Sequence, residues 1–96
     1  MTFGKKLKAI IKEEGFTTKD FAETIDVPVS TLTRYLYDKS DAPSSVVAKI
    51  ASNEQFRKYT MWLLTGEVEE GSDQVSPKLS IQEKCGLIAD ESKKKA

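Results

Sequence analysis

The stretch Thr17–Tyr37, TTKDFAETIDVPVSTLTRYLY, decides the fold. Thr17 and Asp20 stand in the T-x-x-D spacing of a capping box, in which each side chain serves an amide at a helix start that has no partner within the helix. That spacing predicts a short helix beginning near Thr18. Phe21, Ala22 and Ile25 follow at i, i+1 and i+4 and form one narrow apolar stripe, while Lys19, Glu23 and Thr24 face outward. Ala22 is the small residue that lets two helices cross closely, where a larger side chain would force their backbones apart. Pro28 disfavours helical geometry at Val27, so this helix must stop by Asp26, and the fixed φ of proline suits the first turn of the next one.

The second helix carries Leu32, Tyr35 and Leu36 at i, i+3 and i+4 as its packing face, which leaves Val29, Ser30, Thr33, Arg34 and Tyr37 on the other side. Two short helices with an enforced break between them make a helix-turn-helix pattern. Its outer face is a row of short side chains and one long cation, a shape that fits the major groove of duplex DNA. Arginine can bond guanine with two parallel hydrogen bonds, serine and threonine can donate to or accept from several bases, and the methyls of a valine can meet thymine. Val29, Ser30, Thr33 and Arg34 are therefore the expected base-reading residues, with Arg34 foremost.

Upstream, Phe3, Leu7, Ile10 and Ile11 fall at i, i+4, i+7 and i+8 and predict an amphipathic helix over Phe3–Glu14 with Lys5, Lys6, Lys8 and Lys12 toward solvent. Gly15 ends it in a left-handed cap, and Phe16 precedes the next cap in the position of a hydrophobic staple. Downstream, Asp38 to Pro43 is a polar loop in which Lys39 and Ser40 could meet phosphate while Asp38 and Asp41 would repel it. Ser44 or Ser45 caps a fourth helix to Ser52 with Val46, Val47, Ile50 and Ala51 inward. A fifth, from about Glu54 to Thr65, buries Phe56, Tyr59, Trp62 and Leu63 and ends at Gly66. Trp62 reads as a core or dimer anchor, because a base-stacking platform needs several exposed aromatics on one surface.

Beyond Gly66 the sequence EVEEGSDQVSP is acidic and turn-rich and reads as a linker over 67–78. Residues 79–96 carry Leu79, Ile81, Cys85, Leu87 and Ile88 in a weak apolar pattern broken by Gly86, with a short strand near Val75–Ile81 as the alternative. Such a segment cannot bury its apolar side alone, so self-association, docking on its own domain and disorder all stay open, self-association being favoured. The Lys93–Lys95 end reads as frayed and solvated.

Composition bounds the function. With 15 basic and 15 acidic residues the net charge is zero, which argues against a strongly basic chromatin-type binder but leaves open where the charge sits. Residues 1–66 hold ten Lys/Arg against eight Asp/Glu and 67–96 hold five against seven, so the globular part is mildly basic. The absence of His removes Ser-His and Cys-His nucleophile pairs, no metal-ligand cluster or Gly-rich phosphate loop occurs, and a chain of 96 residues has no room for a second catalytic domain after Gly66. No enzymatic activity, cofactor or metal is expected. A single Cys85, no secretory leader and no apolar run of the ~20 residues that span a bilayer fit a cytoplasmic protein, nucleoid-associated through DNA, with no membrane partner.

The spacing of Phe21, Ala22, Ile25, Val27, Leu32 and Tyr35, preceded by FGKKLKAIIKEEG and followed by WLLTGE at 62–67, resembles the Cro and repressor type (XRE-like) of helix-turn-helix transcription regulators of bacteria and temperate phages. The resemblance covers Phe3 to Glu67 and departs at Asp26, where the family usually has Gly; Asp tolerates the left-handed conformation better than most residues. It implies an all-α, compact five-helix lambda-repressor-like DNA-binding domain at 1–66, helix-turn-helix 17–37 and recognition helix about 28–37, with a C-terminal tail. It implies a homodimeric repressor on a two-fold symmetric double-stranded operator, with contacts between copies drawn from Met61, Trp62, Leu79, Ile81, Leu87 and Ile88. Thr17, Thr18, Lys19, Lys39, Tyr37 and the helix-one residues Lys5 and Lys6 are the expected phosphate-positioning set. The alternative is a protein-binding module of the same fold, an antitoxin or antirepressor acting on a regulatory protein partner.

Overall fold

A computed structural model describes residues 2–87. Among these the chain is all-α: α1 Phe3–Glu13, α2 Thr18–Thr24, α3 Val29–Leu36, α4 Ser44–Ser52, a 3-10 turn Arg57–Tyr59 leading into α5 Thr60–Thr65, and α6 Leu79–Lys84. None of the described helices is long and apolar enough to cross a membrane.

The local chemistry of the second and third helices is as the caps dictate. Thr17 Oγ1 accepts from the Asp20 amide at 3.0 Å while Asp20 Oδ2 reaches back to the Thr17 amide at 3.5 Å. At the other end of α2 the Val27 amide donates to the Ala22 carbonyl at 2.9 Å and the Asp26 amide to Glu23 at 3.2 Å, with Asp26 at φ 55°. This is the paired closure of a Schellman motif, which needs a left-handed residue. The same device, now with Asp38 at φ 55°, closes α3 through Lys39 N–H to Arg34 O at 2.8 Å. Aspartate thus twice fills the place glycine takes at the ends of α1 and α6.

Helix packing follows the apolar stripes. Phe21, Ala22 and Ile25 of α2 meet Leu32, Tyr35 and Leu36 of α3 in the buried core, joined by Leu7 and Ile10 of α1 and by Ile50, Phe56, Trp62 and Leu63. Phe56 is the hub: its ring meets Phe21 edge-on at 4.7 Å and Phe16 edge-on at 5.1 Å, the favoured geometry for aromatic pairs. Gly4 lets α1 cross the end of α3, since a Cβ there would stand 2.5 Å from the Leu36 carbonyl oxygen. The Gly4 amide then donates to Asp38 Oδ1 at 3.0 Å, so the residue that closes α3 also satisfies a free amide at the start of α1.

Several expectations are corrected. The fifth helix starts at Thr60 rather than near Glu54, because Asn53 Oδ1 accepts from the amides of Gln55 and Phe56 and holds that stretch in a turn. Pro43, not a serine side chain, precedes α4, its carbonyl accepting from Val46 and Val47. The acidic linker at 67–78 is held against the domain: the Gln74 side chain bridges Met61 N and Arg57 O, the Val75 amide donates to Lys58 O, Pro77 is buried, and the Lys78 amide donates to Glu13 Oε1 at 2.6 Å. This strap delivers α6 onto α1, where Ile81, Cys85 and Leu87 pack against the core and buried Gln82 donates to Pro77 O. Ile81 and Leu87 are partly buried against the core of their own chain, and Trp62 at 2% exposure is interior. Met61 is half-buried, Leu79 is exposed, and Ile88 lies outside the described residues.

Lys6 is likewise buried rather than solvent-facing. The flank that carries Lys6, Ala9 and Glu13 at i, i+3 and i+7 receives the C-terminal segment, as the Glu13 bond to Lys78 marks, and an amphipathic pattern read from α1 alone cannot show it. Desolvation lowers the Lys6 pKa below its usual value.

Glu14 fastens the end of α1 to the 3-10 turn. Its carboxylate accepts from Tyr59 OH at 2.6 Å and Gln55 Nε2 at 3.2 Å, with Lys58 Nζ at 3.3 Å. Burial pushes this carboxyl up, but the bonds from Tyr59, Gln55 and Lys58 and the charge of Lys58 together outweigh it, and the net shift is downward from 4.5. A depressed carboxylate pKa contributes stability that is complete above the unfolded value and is lost as pH falls through the folded one. Thermal midpoints measured below pH 4.5 should fall less steeply for Glu14→Gln than for the wild type; parallel profiles would show that the carboxylate contributes nothing to the acid limb.

Candidate nucleic-acid interface

The exposed face of α3 holds the expected reading residues. Ser30 and Arg34 are exposed, Val29 is 43% exposed and Thr33 half-buried, because Leu32, Tyr35 and Leu36 on the opposite face take up the packing. Thr33 Oγ1 donates to the Val29 carbonyl at 2.8 Å, which leaves its oxygen free to act as an acceptor. Arg34 Nε donates to Ser40 Oγ at 3.0 Å across the loop after α3. That bond fixes one edge of the guanidinium and leaves the two terminal amino groups, the pair that a bidentate contact requires, without another hydrogen bond among the described residues.

Beside this face lies an open cleft of about 660 Å³. Lys8, Ile11 and Lys12 come to it from α1, Phe16, Thr17 and Thr18 from the turn and start of α2, Val29, Thr33, Leu36 and Tyr37 from α3, and Lys84 and Cys85 from α6. Lys8 Nζ sits 3.8 Å above the Tyr37 ring, a cation–π contact that spans from α1 to the end of α3. Tyr37 itself is 61% exposed.

The cleft therefore brings together Val29, Thr33, Thr17, Thr18 and Tyr37 of the sequence-derived set. Ser30 and Arg34 share the exposed side of α3 but lie outside the cleft, on the flank toward Ser40. Lys19 and Lys39 are exposed elsewhere, and Lys5 Nζ lies 3.7 Å from where a Cβ at Gly86 would stand, turned toward the C-terminal segment. The lysines that do line the cleft are Lys8 and Lys12, to which the sequence reading gave no preference, and Lys84, which it did not consider. Lys8 and Lys12 were findable as an i, i+4 pair flanking Ile11; Lys84 carries no local signal because only the docking of α6 places it there.

The described residues thus form a small all-α arrangement in which a capped α2 is followed by α3 with an exposed, polar outer face. The sequence matches no protein-family model. It is 30% identical over 79 residues to Repressor protein C of Escherichia phage P2, an alignment covering 82% of this chain and 80% of that protein. The chain belongs to this family of phage repressor proteins.

Proposed function

We propose that the protein is a sequence-specific repressor of the lambda-repressor-like helix-turn-helix type, which binds double-stranded DNA by inserting α3 into the major groove. The observation that carries the reading is the exposed face of α3, with Val29, Ser30, Thr33 and a pre-positioned Arg34 standing clear of the core. Membership of a family whose characterised relative is named as a repressor supports it. In this role α3 reads bases, while Thr17, Thr18, Lys19, Lys39 and Tyr37 position the module on the backbone.

A dimer is part of the proposal for an energetic reason. One module presents about four reading side chains, and each good pair discriminates by only ~1–3 kcal/mol. Two modules on half-sites about one helical turn apart double that contribution. Of the described residues expected at the contact between copies, Leu79 is the most exposed apolar one, at 68%.

The test is selection of bound duplexes from a random pool. Enrichment of an inverted repeat establishes the activity and the two-fold assembly together. A pool that returns unenriched, from a folded protein that captures a regulatory protein instead, overturns this reading in favour of a protein-binding module.

A further inference from the structure

We infer that the C-terminal helix is part of the DNA-binding surface, and that Lys84 joins Lys8 and Lys12 in a cationic wall that takes the phosphate backbone of one strand beside α3. This rests on the reading of α3 as a base-contacting helix and adds a surface to it.

Three observations meet here. First, α6 is held in place by contacts independent of Lys84: the Lys78 amide bonds Glu13 at 2.6 Å, Gln82 bonds Pro77 O at 2.7 Å, and Ile81 and Cys85 pack on the core. Its last residue is thereby delivered to the rim of the cleft rather than left to find it. Second, the charge there is one-sided. The chain as a whole balances 15 basic against 15 acidic residues, yet the described residues lining the cleft include three lysines and no Asp or Glu. Such segregation in a neutral protein selects a polyanion by field rather than by net charge. Third, the cleft runs directly beside Val29 and Thr33, so a strand whose bases meet α3 has its phosphates within the same depression. A lysine on a flexible stem suits this task, since it neutralises phosphate without demanding base geometry.

Duplex DNA, both the enriched sequence and an unrelated one of equal length, should be titrated at several salt concentrations with wild type, Lys84→Ala, Lys84→Arg and Lys78→Ala. Lys78 is an exposed lysine of the same segment that does not line the cleft, so it matches the change in net charge. Loss of one phosphate contact flattens the slope of log affinity against log salt by about 0.9. Lys84→Ala should show that flattening on both duplexes, with several-fold weaker binding; Lys84→Arg should keep the wild-type slope, and so should Lys78→Ala. An unchanged slope for Lys84→Ala, or equal flattening for Lys78→Ala, overturns the inference while wild-type binding leaves the reading of α3 intact. Failure of the wild type to bind either duplex overturns both.

Discussion

Gly4→Ala should cost about 3 kcal/mol of stability, at the upper end of what an inserted methyl costs in a tight contact. The sign is what makes the experiment decisive. At an ordinary helix position the same change stabilises by about 1 kcal/mol, because alanine is the better helix former. At Gly4 the added carbon would sit 2.5 Å from the Leu36 carbonyl oxygen and 2.6 Å from that of Tyr35, both backbone atoms that no rotamer change can move. The start of α1 must lift away from the end of α3, and the Gly4 bond to Asp38 Oδ1 lengthens with it. For a domain of this size the loss corresponds to a fall in Tm of roughly 12–24 °C. Urea midpoints and thermal scans read it directly, and a variant as stable as the wild type, or more so, would show that the crossing is looser than described.

The second large effect is on recognition. Arg34→Ala should weaken binding to the enriched duplex by about 1–3 kcal/mol, roughly 5- to 150-fold, while unrelated duplexes lose far less. Preference should relax at one base pair per half-site. Arg34→Lys should not restore it, because an ammonium lacks the paired donors of the guanidinium. Ser40→Ala should produce a smaller loss of the same kind, since the 3.0 Å bond from Nε to Ser40 Oγ orients the guanidinium. Gel-shift titrations of the three variants test this, and an Arg34→Ala protein equal to the wild type on the enriched site would remove Arg34 from the reading set.

What the sequence made legible was chemistry that acts within a few residues. Thr17, Asp20 and Pro28 fix the ends of α2 and the start of α3 by capping and by backbone sterics, so both helices lie where those residues put them. The left-handed turn at Asp26 was readable from the resemblance, whose usual glycine falls at that position, and the split of α3 into Leu32, Tyr35 and Leu36 inside against Ser30 and Arg34 outside follows from period alone. What stayed hidden depends on partners far along the chain. Gly4 looks like any first-turn residue until α3 is seen against it, and Asp38 read as a charge hostile to phosphate before its carboxylate was found on the Gly4 amide. Lys6 follows the solvent side of an amphipathic pattern, but a pattern cannot announce a second covered flank. The acidic, turn-rich composition of 67–78 marked a linker without showing how it is held, because composition does not record the individual hydrogen bonds of Gln74, Val75 and Lys78.

That strap also sets an order of events during translation. Helices α1 to α5 are complete in the sequence by Gly66, whereas the bond from Lys78 to Glu13 joins residues 65 positions apart. At ribosomal speeds of ~5–20 residues per second, the stretch from 66 to 87 takes about one to four seconds to make. All five helices of the core are therefore made before the segment that supplies Lys84 and Cys85, and that side of the cleft is the last to be synthesised.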